Sequence, residues 1–302
     1  MIAGKKDFLK LLDLERDDIL EILELADRLK GGEKCNALAG KSVGLIFEKS
    51  STRTRVSFEV GVHQLGGYPL FLASSHSQLG RGEPIEDTAR VLSRYLDGIM
   101  IRTFGHDRVE NLAKYASVPV INGLTDLAHP CQVLADLQTV REHKGKLEGL
   151  KMAYIGDGNN MANSLIVGGL KVGMEVACAS PAGYEPDASV RAYAEGTGRF
   201  TLTADVLEAA RDADVLFTDV WASMGQEEEA EERRRVFEGV YQINDKVMAA
   251  AAKGAMVQHC LPAHRGEEIT ADVFEAHARE IFDEAENRLH AQKAVMVKLM
   301  GE

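Results

Sequence analysis

Val43-Gly44-Leu45-Ile46-Phe47-Glu48-Lys49-Ser50-Ser51-Thr52-Arg53-Thr54-Arg55 changes character at its middle. The first five residues are an apolar run of strand length. The last seven hold three cations and four hydroxyls. Beyond them Val56, Phe58, Val62 and Leu65 read as one helical face, and Gly66-Gly67 supply a stop. The segment predicts a strand, a polar loop and a helix N-terminus. Unpaired N–H groups and a partial positive charge at a helix start suit an anion, and Arg adds a forked, permanent donor. A Walker loop is absent, since no Gly-x-x-x-x-Gly-Lys-Ser/Thr occurs. Taken alone, the stretch reads equally well as a solvated turn that caps a helix.

The rest of the chain bounds what such a loop serves. A length of 302 residues predicts two domains, and 45% hydrophobic with 27% charged residues is ordinary globular composition. The net charge of −12 argues against nucleic-acid or anionic-membrane binding, so attraction for an anion has to be local. No apolar run reaches transmembrane length, and Met1 to Asp7 has no signal-type apolar core. Cys35, Cys131, Cys178 and Cys260 form no Cys-x-x-Cys pair. That spacing fits a reduced, cytoplasmic setting without a zinc signature.

Strands and helices alternate along the chain. A first helix is expected over about Asp17–Lys30, with Ile19, Ile22, Leu23, Ala26 and Leu29 on one face. Tyr68–Leu72 reads as a strand whose Pro69 suits an edge or a strand start. Ser74–Gly82 is polar and Gly-containing and reads as a mobile loop. Pro84 opens a helix to about Leu96. Ile99–Ile101 delivers Arg102, a helix near Val109–Tyr115 follows, and Val118–Ile121 is the next strand. His129-Pro130-Cys131-Gln132 starts a helix with Pro130 at its first position. Arg53, Arg102 and His129 all follow predicted strands, and ligands in parallel sheets bind at those ends. The expected class is therefore α/β, two domains, each a parallel sheet with helices on both faces.

Lys144–Gly149 is the natural boundary. The second half restarts with the strand Met152–Ile155 and the turn Gly156-Asp157-Gly158-Asn159-Asn160. This start is similar to a dinucleotide-binding unit. However, Met161 stands where the third Gly belongs, and Ser180-Pro181 replaces the ribose-binding acid, so NAD binding is disfavoured. Val215–Phe217 delivers Asp219. Gln226–Arg235 reads as a solvated helix, with Glu229/Arg233 and Glu231/Arg235 as surface pairs of little worth. Ala255–Val257 ends in His259-Cys260-Leu261-Pro262, with His259 structural. Thr270 is a helix cap, Ile281-Phe282 a last short strand, and Asn287–Leu299 a final helix.

Four motifs together carry a resemblance over essentially the whole chain: Ser51-Thr52-Arg53-Thr54-Arg55, His129-Pro130-Cys131-Gln132, Asp219-Val220-Trp221-Ala222-Ser223-Met224-Gly225 and His259-Cys260-Leu261-Pro262. In this order they resemble the aspartate/ornithine carbamoyltransferase family, with acceptor signatures of the ornithine type. The resemblance implies a carbamoyl-phosphate domain over residues 1–145 and an ornithine domain over 146–285, with a C-terminal helix of about 286–302 packing back on the first. It implies that Ser51, Thr52, Arg53, Thr54 and Arg102 hold phosphate. The resemblance adds Gln78 to them, reaching in from a neighbouring subunit of a homotrimer or multiple of trimers. His129, Gln132 and Arg288 become partners of the carbamoyl group. Asn160, Asp219, Ser223 and Met224 become ornithine-binding positions, while Cys260 and Leu261 close the site between the two ligands as carbamoyl-phosphate contacts, with Cys260 joining Arg102 and His129 as catalytic.

The residue types agree with that chemistry. Arg102, His129 and Thr54 can donate to a carbonyl oxygen that gains charge as an amine attacks. No covalent intermediate, metal or organic cofactor is required. Acceptors such as putrescine, an acylated ornithine or aspartate stay as alternatives. An ammonium-bearing substrate suits Asp219 best. A non-catalytic anion sensor on the same fold would be expected to lack Arg102 or His129.

Overall fold

The computed structural model describes residues 6–74, 78–222 and 227–301. Two compact units divide the chain, residues 1–138 with 286–302 and residues 139–285.

The first unit begins with α1 (Arg16–Lys30), whose start is closed by a reciprocal Glu15/Asp18 capping box. Its apolar face, Ile19, Ile22, Leu23, Ala26 and Leu29, is buried as its spacing requires. Then follow β1 (Ser42–Phe47), α2 (Thr52–Gln64), β2 (Tyr68–Ala73), α3 (Ile85–Leu92), β3 (Gly98–Arg102), α4 (His106–Tyr115), β4 (Val120–Leu124) and α5 (Pro130–Lys144), whose residues from Thr139 onward belong to the second unit. The four strands form one parallel sheet in the order β2-β1-β3-β4. Strands β3 and β4 are buried throughout, as a parallel sheet covered on both faces demands. Pro69 falls on the edge strand β2, where a missing donor costs least.

Strand β4 slips by one residue against β3: Ile101 faces Asn122, but Arg102 faces Leu124. Gly123 occupies the extra position. A Cβ there would stand 2.5 Å from Met100 Sδ and 3.2 Å from the Ile101 carbonyl. The slip falls where Arg102 leaves the sheet, as bulges beside functional positions often do.

The second unit contains β5 (Lys151–Ile155), α6 (Asn160–Lys171), β6 (Glu175–Ala179), α7 (Ala188–Glu195), β7 (Phe200–Thr203), α8 (Val206–Ala210) and β8 (Val215–Thr218). It continues with α9 (Ala230–Phe237), α10 (Asp245–Ala250), β9 (Met256–His259) and α11 (Ala271–Ala276). Its five strands are all parallel, in the order β7-β6-β5-β8-β9. Helix α12 runs from Ala278 to Met300, and the division of the units falls within it. Its later turns pack in the first unit. A Cβ on Gly61 of α2 would meet Met296, Lys293 and Leu289 within 3.6 Å, and Lys30 donates to Asn287 Oδ1 at 2.8 Å.

Some sequence expectations need correction. Val56 is exposed, because it lies two residues from Phe58 and so about 200° around the helix; the buried face is Thr54, Phe58, Gly61 and Val62. Helix α3 stops at Leu92, with Pro84 as its N-cap, instead of running to Leu96. Ile281-Phe282 is not a strand. Both lie in α12, with Ile281 buried and Phe282 exposed, a difference that a helix and a half-buried strand produce alike over two residues. The loop expected at Ser74–Gly82 lies partly outside the described residues, and Leu79–Arg81 makes a 3-10 turn.

Candidate functional site

In each sheet the strand order reverses once. The reversal lies beside β1 and β3 in the first unit and beside β5 and β8 in the second. Crevices at such switch points, beyond the carboxyl ends of the strands, are where α/β folds bind ligands. Both contain the residues singled out from sequence.

At the first switch point, β1 ends at Phe47 opposite Arg102, the last residue of β3. Ser51 is the N-cap of α2 and accepts from the Thr54 amide at 3.2 Å. Thr52 is exposed, Arg53 half-buried and Thr54 fully buried. Arg102 Nη1 at 3.3 Å and Arg288 Nη2 at 3.1 Å both donate to Thr54 Oγ1. Two buried guanidinium groups thus converge on one neutral hydroxyl, a poorer acceptor than an anion oxygen. His129 and Gln132 stand at the start of α5, both buried. Arg288 Nη1 donates to Gln132 Oε1 at 2.6 Å. Burial pushes the His129 imidazole well below its ordinary pKa, and the cations of Arg288, Arg102 and Arg53 push the same way. His129 is therefore a neutral donor at pH 7.

Not every cation of the 49–55 stretch belongs to this cluster. Lys49 is buried, paired with Asp126 Oδ1 at 2.5 Å and set over the Phe104 ring. Arg55 stacks on Phe71 at 3.7 Å and bonds Glu59 at 3.0 Å. Glu48 was not singled out from sequence, although it braces the loop. It takes a bidentate fork from Arg108 at 2.6 to 2.9 Å and a hydrogen bond from Thr103, the neighbour of Arg102. Gln78 is exposed, and its carbonyl accepts the amides of Arg81 and Glu83.

At the second switch point Asp219 follows β8 and is buried. Asn159, after β5, donates to Asp219 Oδ2 at 2.9 Å, and its own oxygen caps α6 through the Met161 and Ala162 amides. The cap is thus Asn159, while Asn160 is the first helical residue, half-buried. Cys260 Sγ donates to Asp219 Oδ1 at 3.2 Å. Gly158, which gave the turn its dinucleotide-like look, has another reason to be Gly: a Cβ would stand 2.2 Å from the Glu185–Pro186 backbone. Ser223 and Met224 lie outside the described residues.

Arg233 is not a surface residue. It is buried, pairs with Asp157 Oδ2 at 2.9 Å and Glu229 at 3.1 Å, and donates to the Trp221 carbonyl at 3.1 Å. Only Glu231 and Arg235, both exposed, make the weak outer pair expected there. Burial holds the Asp157 carboxyl up at about 6 despite Arg233. Trp221 stacks on Phe237, which meets Tyr184 and Tyr241 edge-on, so the segment after Asp219 is anchored in the core.

Leu261 adopts φ 59°, a left-handed conformation costly for a side chain other than Gly. Its amide donates to His259 Nδ1 at 2.9 Å, and His259 Nε2 then bonds buried Glu268 at 2.9 Å. Those partners fix the proton on Nε2. Asp219, His259 and Cys260 bring metal-type donor atoms within 4.8 Å of one another. Both His259 nitrogens are already engaged, so the set is arranged as a hydrogen-bonded lock on the 259–262 turn. Burial pushes the Cys131 and Cys178 thiols up to about 12, which leaves them inert.

Known proteins share this division. Residues 6–142 match the carbamoyl-P binding domain of aspartate/ornithine carbamoyltransferase, and residues 148–299 match its Asp/Orn binding domain. An ornithine carbamoyltransferase of Carboxydothermus hydrogenoformans is 57% identical, with 100% of both chains covered. One of Thermococcus kodakarensis is 55% identical over 99% of this chain and 98% of its own. The solved ornithine carbamoyltransferase of Pyrococcus furiosus superposes with a TM-score of 0.93 at 51% identity, covering 100% of this chain and 99% of that one. Matched from end to end in sequence and in fold, the chain belongs to the aspartate/ornithine carbamoyltransferase family.

Proposed function

We propose that the chain transfers the carbamoyl group of carbamoyl phosphate to the side-chain amine of L-ornithine, giving L-citrulline and phosphate. One observation carries this reading: the two switch points have opposite electrostatic character. Guanidinium groups gather around Thr54 in the first unit, and a buried carboxylate, Asp219, stands in the second. A phosphate donor suits the former and an ammonium-bearing acceptor the latter.

In this reading Ser51, Thr52, Arg53, Thr54 and Arg102, with the first amides of α2, hold the phosphate. His129, Gln132 and Arg288 hold the carbamoyl group. The neutral amine attacks the carbamoyl carbon, and Arg102, His129 and Thr54 donate to the oxygen that gains charge. The C–N bond forms, the C–O bond to phosphate breaks, and the attacking nitrogen gives up one proton, for which the departing phosphate is a base. Neutral His129 donates without first having to gain a proton. Asp219, with Ser223 beside it, takes the α-ammonium, while Asn160 and the backbone near Met224 take the carboxylate. Cys260 and Leu261 contact the carbamoyl phosphate, and the Cys260 thiol, which donates to Asp219, orients that carboxylate.

The chain works as a homotrimer or a multiple of one, with Gln78 reaching a neighbour's phosphate. Exposed Val56 and Val60 on α2 and exposed Tyr68 and Leu70 on the edge strand β2 support such an apolar contact. Four free cysteines support a cytoplasmic setting, and a step from ornithine to citrulline belongs to arginine metabolism. No helix among the described residues is long and apolar enough to cross a membrane.

The test is citrulline formation with ornithine against a panel of putrescine, N-acetylornithine and aspartate. Ornithine is expected to be used best. Faster turnover of any other acceptor would overturn the assignment of the second unit.

A further inference from the structure

Gln132 lies in the first turn of α5, and its amide is held at both ends. Nε2 donates to Asp136 Oδ1 at 2.8 Å, one helical turn further on. Oε1 accepts from Arg288 Nη1 at 2.6 Å, and the same guanidinium reaches Thr54 in the anion loop. Rotating the amide by half a turn would set its NH2 against a group that only donates, and its oxygen against one that only accepts. Asp136 is fully buried, so water does not compete for its hydrogen bond with Gln132.

We propose that Asp136 is a positioning residue that selects the phosphate donor. By engaging the Gln132 NH2 it turns the amide oxygen toward the anion loop, and the half-site then takes a carbamoyl group in preference to an acyl group of the same shape. This rests on the carbamoyl-transfer reading above. Carbamoyl phosphate and acetyl phosphate carry the same phosphate and carbonyl and differ by NH2 against CH3. Guanidinium groups and hydroxyls that bind the phosphate and the carbonyl oxygen do not tell them apart. An acceptor facing the NH2 does, because only one of the two ligands can satisfy it. An amide oxygen accepts two hydrogen bonds, so the contact with Arg288 does not exhaust it. With the amide reversed, its NH2 would face the NH2 of the substrate and the preference would vanish. Asp136 touches no ligand in this scheme. It acts through Gln132.

The test measures dissociation constants for carbamoyl phosphate, acetyl phosphate and inorganic phosphate by competition calorimetry on the full chain. The readout is the ratio of the acetyl phosphate constant to the carbamoyl phosphate constant. In Asp136→Ala the ratio is expected to fall roughly 10-fold, the scale of one lost charge-assisted hydrogen bond, with phosphate affinity kept. Asp136→Asn keeps the size and a weaker acceptor, so the ratio should fall only about 3-fold, a partial rescue. In a Gln132→Ala background Asp136→Ala should change the ratio no further. If both variants weaken all three ligands by one factor, Asp136 is merely structural and the proposal is overturned. Should Asp136→Ala fail to fold, an unchanged ratio in Asp136→Asn overturns it. If the unaltered protein did not bind carbamoyl phosphate, the functional reading would fall too. Normal citrulline formation with unchanged ratios in the variants would overturn the role of Asp136 alone.

Discussion

The two switch points solve opposite problems with the same topology. In the first unit, cations gather and their balance is held one layer back. Arg102 and Arg288 meet at Thr54, while Glu48 with Arg108 and Asp136 with Gln132 hold the frame. In the second unit the signs reverse. Asp219 and Asp157 are the buried acids beside the switch point, and Arg233 stands behind as the balancing cation. Each half-site thus keeps one sign forward and the opposite sign in support, since a buried charge without a partner is costly. The fold supplies the crevice, and the charge order decides what enters it.

The largest effect should come from the cationic side. In the proposed reaction Arg102 donates to the developing oxyanion, so Arg102→Leu is expected to lower kcat roughly 10²- to 10³-fold in the citrulline assay. A change confined to KM would make Arg102 a uniform binder. On the acidic side, Asp219→Asn should raise the ornithine KM roughly 10- to 100-fold, the cost of one charge-assisted contact, with the carbamoyl phosphate constant almost unmoved. Parallel loss of both ligands would erase the contrast of the two half-sites.

The supporting cation gives a smaller, pH-dependent effect. Arg233→Met leaves Asp157 buried without its partner and the Trp221 carbonyl without that donor, and should destabilise by about 2–3 kcal/mol at pH 8. The Asp157 carboxyl is already raised to about 6, so the fold favours its neutral form. Its contribution is complete below the ordinary carboxylate pKa and fades as pH rises through about 6. The loss in Arg233→Met should therefore shrink in urea unfolding at pH 5, where Asp157 is protonated. A penalty equal at both pH values would show that packing, not the ion pair, is what Arg233 supplies.

The smallest effect concerns His129. Its folded pKa is depressed, so its contribution is present above the unfolded His value, near 6.5, and is lost as pH falls below it. The unaltered chain should lose up to about 1.4 kcal/mol per pH unit from this one proton. His129→Asn should remove that part of the slope between pH 7.5 and 5.5. Identical slopes would mean that the imidazole is not buried as a neutral group.

How far the sequence reached differs at these same places. Strand β1, the Ser51 cap and the Pro130 helix start are local events, set by a handful of neighbouring residues, and the loop 49–55 could be read as an anion cradle. The family motif singles out Arg53, but charge and spacing alone do not separate the three cations. Lys49 and Arg55 are taken up by what stands opposite them, Asp126 and Phe104 for one, Phe71 and Glu59 for the other. Asn159 and Asn160 show a similar limit. Either could cap α6, and only the backbone geometry chose Asn159, which then met Asp219.

By itself the sequence determined the alternation of strands and helices, the helix starts and the four motifs that mark the family, because periodicity and capping act over a few residues. Only tertiary structure decided that Arg288, 234 residues from Thr54, donates to the same hydroxyl as Arg102. It also decided that Arg233, spaced from Glu229 like any solvated pair, lies buried against Asp157. An i,i+4 spacing says which side chains share a helix face. Whether that face meets water or the core depends on segments distant in the chain, and burial sets what a charge there is worth.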